Sequence, residues 1–113
     1  MTRGARFLAA AAVATFALAA CVANAPAVSA PRHPQVVLRN LAMEPALAAV
    51  APGDTVTWTN RDVVPHTVTA DGGAWDSGAI EGGRSWSHVV TRADSAGYVC
   101  RFHAGMAARF VRQ

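Results

Sequence analysis

Lysine is missing from this chain: its ten cationic side chains are all arginine, set against seven acidic residues. Arg3 and Arg6 stand at the very start, and without them eight arginines face seven acids, a net charge near +1. That is too little to draw the protein to nucleic acid or to an anionic membrane surface. Cysteine is scarce, with only Cys21 and Cys100. Past residue 20 no apolar stripe recurs at helical spacing, and nothing repeats internally. A chain of 113 residues leaves room for one small domain.

What the N-terminus does have is a basic start followed by an unbroken apolar and small-residue run, FLAAAAVATFALAA, from Phe7 to Ala20. This is the pattern of a bacterial export signal, too short and too alanine-rich for a comfortable membrane span. The run ends in Leu18-Ala19-Ala20-Cys21, which resembles the lipobox of bacterial lipoproteins, where the cysteine is acylated and becomes the new N-terminus. Cleavage after Ala23-Asn24-Ala25 is the alternative, but it would leave Pro26 beside the cut. Residues 1–20 are therefore read as an export signal. Residues 21–34 are read as a lipid-attachment cysteine, Cys21, and a Pro/Ala-rich tether. Either cut leaves Cys100 as the one free thiol, and a lone thiol in an exported protein needs a reason.

From residue 35 to 113 short β-rich runs alternate with turn residues, the signature of a small sandwich or barrel. Strands are expected over residues 35–42, 46–50, 55–59, 66–70, 85–90, 97–100 and 109–112. In Thr55-Val56-Thr57-Trp58-Thr59 the apolar and hydroxyl residues alternate, so this strand covers a core with one face. Trp58, Trp75 and Trp86 are expected in the core or at its edge. Asn60 and Asp62 are expected to make loop hydrogen bonds. Arg101, Arg109 and Arg112 are read as solvated, with a bias toward an acidic docking partner.

The densest chemistry lies in Cys100-Arg101-Phe102-His103-Ala104-Gly105-Met106. A thiolate favours Cu(I), zinc or iron–sulfur centres, and imidazole suits copper, zinc, iron and nickel. Zinc and hard cations have little use for a thioether, whereas copper accepts one as a weak ligand. Two His and one Cys in a plane, with a long axial Met, is an electron-transfer copper arrangement, so a second, distant His is required. His33 lies in the tether, and His88 sits on a strand with no partner nearby in sequence. His66 stands where a loop meets a strand, held on one side and open on the other, and is the candidate.

Pro52-Gly53-Asp54-Thr55-Val56-Thr57-Trp58-Thr59-Asn60-Arg61-Asp62, then Pro65-His66-Thr67-Val68, then Gly97-Tyr98, then Cys100-x-x-His103-x-x-Met106 together resemble the cupredoxins, the small blue copper proteins of amicyanin and plastocyanin type. The resemblance spans about residues 36–112. It implies an all-β, eight-stranded Greek-key sandwich, one copper ion held by His66, Cys100, His103 and Met106, and one-electron transfer without catalysis. The pattern departs from the family at Val99, where an aromatic often stands, at Ala108, often Gly, and at Thr67, often Asn. A threonine hydroxyl is expected to supply the cross-loop hydrogen bond of that last position. The expected function is that of an exported one-electron carrier, with a tethered copper-delivery protein as the alternative. Phe102, Ala104, Gly105 and Ala107 around His103 form the expected electron port. The partners would be a redox donor and acceptor, such as a c-type cytochrome or a dehydrogenase, met transiently by a monomer that touches membrane only through its lipid.

Overall fold

The computed structural model describes residues 1, 4, 5, 7–20 and 29–113. Cys21 lies outside the described residues. Among them no helix is long and apolar enough to cross a membrane.

Among the described residues eight strands form two four-stranded sheets. The first sheet has the order β2 (Ala42–Glu44), β1 (Gln35–Arg39), β4 (Thr55–Asn60), β6 (Ser85–Val89). The second has the order β3 (Leu47–Val50), β8 (Ala107–Arg112), β7 (Gly97–Val99), β5 (Thr69–Ala70). The alternation of β4 does what it promises: Val56, Trp58 and Asn60 are buried while the three threonines lie at the surface side. Two of those threonines form a hydroxyl ladder with β6, Thr57 to Ser87 at 2.7 Å and Thr59 to Ser85 at 2.8 Å. Trp58 sits at the centre of the sandwich, its ring 5.4 Å from Tyr98 edge-on and within 6.1 Å of Trp75, Trp86 and Phe110. Leu38, Val36, Val50, Val56, Val68 and Val90 complete a core that water does not reach, and burying side chains of this size is worth about 1.5–3 kcal/mol each.

Two expected strands are cut short. Residues 35–42 divide into β1 and β2, because Asn40 and Leu41 both take positive φ, 54° and 57°, and turn the chain back on itself. Residues 66–70 give only the two-residue β5. The amides of Thr67 and Val68 bond to side chains instead, the first to Cys100 Sγ at 3.4 Å and the second to Ser77 Oγ at 2.8 Å.

Among the described residues, hydrogen bonding to the sandwich begins at Arg32. The amides of Thr55 and Thr57 donate to the carbonyls of Arg32 and Pro34. Arg32 also pairs with the buried carboxylate of Asp54 at 3.0 Å, and its guanidinium reaches Gln113 at 3.2 Å. Since β1 and β4 run parallel, the chain enters at one end of this sheet and reaches the segments that carry His66 and Cys100 at the other.

Candidate metal centre

Asn60, the last residue of β4, is fully buried and organises the loop that follows. Its Nδ2 donates to the carbonyls of Val64 and Ile80, each at 2.8 Å, and its Oδ1 accepts the amide of Asp62 at 2.8 Å. The loop thus pinned delivers His66, which is fully buried and bridges Ile80 through paired backbone hydrogen bonds of 3.1 and 2.7 Å.

The second segment leaves β7 at Cys100 and returns at β8. Its ends are tied together, Cys100 N donating to Met106 O at 2.9 Å and Met106 N to His103 O at 3.3 Å. Gly105, at φ 83°, takes the left-handed conformation that lets so short a loop close. Cys100 and Met106 are buried, at 5% and 2% exposure, while His103 is half-buried.

The two segments bring three donor atoms together. His66 Nδ1 and His103 Nδ1 are 3.2 Å apart, and Cys100 Sγ lies 3.8 Å from the first and 3.6 Å from the second. A point equidistant from the three lies about 2 Å from each, which matches metal–imidazole bonds (~2.0–2.1 Å) and approaches a metal–thiolate bond (~2.3 Å). With Met106 buried on the same loop, the four residues are arranged as a site for one copper ion.

Thr67 crosses between the segments as its hydroxyl was expected to. Its Oγ1 accepts the amide of Arg101 at 2.8 Å, and its own amide points at the Cys100 sulfur. Asp62 has a larger part than the loop hydrogen bonds expected of it. Its carboxylate accepts the amides of Asn40 at 2.8 Å and Leu41 at 3.1 Å, and also meets His66 Nε2 at 2.8 Å. The His66 hydrogen bond, followed by those from Leu41 and Asn40, holds its pKa down at about 2. The only trace of this in the sequence is the four-residue spacing from Asp62 to His66.

The other histidines stay apart from the site. His33 is exposed. His88 is less of a surface residue than its strand position implied, since it stacks on Trp75 at 4.5 Å and bonds Asp94 at 2.7 Å. Arg101 is likewise more tied than expected, pairing with Asp76 at 2.9 Å, and Arg112 is bound to the carbonyls of Thr91 and Asp94. Around His103, Phe102 is 49% exposed, and Ala104, Gly105 and Ala107 are open to solvent. Val63 and Val64, on the approach to His66, are exposed too.

No family model matches the chain. Over 86 residues it is 34% identical to a chloroplastic plastocyanin of Tetradesmus obliquus, a stretch covering 65% of this chain and 59% of that protein, so less than two thirds of the relative is spanned. Among solved structures, the Cu(I) form of an amicyanin variant is similar at 27% identity and a TM-score of 0.65, covering 77% of this chain and 88% of that one. A purple cupredoxin from Nitrosopumilus maritimus shares the fold at 24% identity and a TM-score of 0.64, over 71% of this chain and 99% of that one. A two-sheet sandwich, a His-Cys-His-Met cluster between two of its loops, and likeness to plastocyanin and amicyanin agree on one architecture, and the chain has the all-β cupredoxin fold.

Proposed function

We propose that the protein is an exported one-electron carrier that holds a single copper ion between His66, Cys100, His103 and Met106. The observation that carries the reading is the triangle of Nδ1, Nδ1 and Sγ with sides of 3.2, 3.6 and 3.8 Å, in a buried site that also offers a thioether. Copper bound there would supply a Cu(II)/Cu(I) couple. The chain supplies rigidity. Asn60, Thr67 and the closed 100–106 loop fix the donors from both sides, so little has to move when charge changes. Cys100 would give the ion a thiolate, and its sulfur faces the Thr67 amide. His103 is the one donor residue that reaches the surface, and the small residues beside it leave its ring edge open to a partner.

The relatives support export, as do Arg3, Arg6 and the apolar run that follows. The lipobox-like Leu18-Ala19-Ala20-Cys21 supports a lipid anchor on Cys21. Transient contact with a redox protein fits a small apolar port.

The test is the visible spectrum of the purified protein after Cu(II) is added, with Cys100→Ala as control. An intense band that is absent from the control and bleached by a mild reductant is expected. A pale spectrum indifferent to Cys100→Ala would overturn the reading.

A further inference from the structure

We infer that Asp62 is a positioning residue for the metal centre: its carboxylate fixes His66 with the proton on Nε2, so that Nδ1 presents a bare lone pair toward Cys100 and His103. A neutral imidazole carries one proton on one of two nitrogens, and the tautomer follows the hydrogen bond made by the nitrogen that faces away. Here that nitrogen meets a carboxylate oxygen at 2.8 Å. The same oxygen takes the Leu41 amide and its twin takes the Asn40 amide, while Asp62's own amide is held by Asn60. The carboxylate therefore has little freedom to leave, and neither has the imidazole, which is fully buried.

The arrangement also joins the β1–β2 hairpin to the ring. Leu41, at the hairpin tip, is 52% exposed, so one charged side chain spans from a surface turn to a buried donor. A carboxylate behind a ligating histidine strengthens its donation to the metal, and loss of such a partner typically costs 10–100-fold in affinity. Stronger donation favours the more highly charged ion. Asp62 is therefore expected to lower the reduction potential of the bound couple, an effect that rests on the copper reading above. The tautomer does not.

Two measurements on the full chain separate them. The first is the ¹⁵N shift pattern of the His66 ring in metal-free protein. Protonated Nε2 and bare Nδ1 are expected, giving way to a mixture in Asp62→Leu. A proton on Nδ1 in the unaltered protein, or an unchanged pattern in the variant, overturns the inference. Should Asp62→Leu fail to fold, the ring of the unaltered protein decides alone: protonated Nε2 upholds the inference and a proton on Nδ1 overturns it.

The second is the reduction potential of copper-loaded Asp62→Asn, read by voltammetry. An upward shift is expected, together with Cu(II) affinity lowered roughly 10–100-fold while the thiolate band persists. An unchanged or lower potential with that band intact overturns the role of Asp62 and leaves the copper reading standing. No thiolate band in the unaltered protein overturns the copper reading, and the tautomer still decides for Asp62.

Discussion

Thr67 shows how much one side chain can carry at this site. Its hydroxyl receives the Arg101 amide at 2.8 Å and touches Thr69 Oγ1 at 3.0 Å, with both threonines buried. Thr67→Val keeps the shape but removes the acceptor of the Arg101 N–H, and losing a part-buried hydrogen bond of this kind costs about 0.5–1.5 kcal/mol. Urea unfolding of the metal-free protein should show that loss. The copper-loaded variant should give a shifted thiolate band, because the loop that aims the sulfur has lost its tie. At this scale the donor set was legible from chemistry, since a thiolate, two imidazoles and a thioether narrow the choice of metal whatever the fold. The partners of His88 were not legible. Trp75 and Asp94 reach it from loops, and neither distance follows from sequence separation.

Among the elements, the 100–106 loop joins the buried donors to the surface. Placing a carboxylate on the port, as Ala104→Glu or Ala107→Glu, should slow electron exchange with a redox partner while leaving the visible band in place. Stopped-flow exchange rates would show it, and rates equal to those of the unaltered protein would move the port elsewhere. The alternation in β4 and the turn glycines made most strands readable. The β1–β2 hairpin stayed hidden because its turn is Asn40-Leu41, and a leucine at positive φ advertises nothing. The shortness of β5 was hidden for a different reason. Thr67 and Val68 look like strand residues, and only the folded site reveals that their amides are used by Cys100 and Ser77.

The molecule as a whole is closed at the end away from the metal by Asp54. The Arg32 amide holds its carboxyl below the ordinary 3.8, aided by the Ala51 amide and the Arg32 guanidinium, against the opposing effect of burial. A depressed carboxylate stabilises the fold above its unfolded pKa and ceases to as pH falls through the folded one. The contribution of Asp54 to the stability of the metal-free protein should thus be full above about pH 4 and decline below it. Asp54→Asn should be weaker at neutral pH and should lose stability less steeply in acid, as unfolding midpoints across pH would record. That same end receives both Arg32 and Gln113, whereas His103 opens at the other. A domain leashed through its first residues would therefore stand with its contacts turned outward from whatever holds it. One half-buried imidazole cannot serve two visitors at once. Donor and acceptor would have to take turns at it, and the rate of relay would be capped by how soon the first leaves the ring clear for the second.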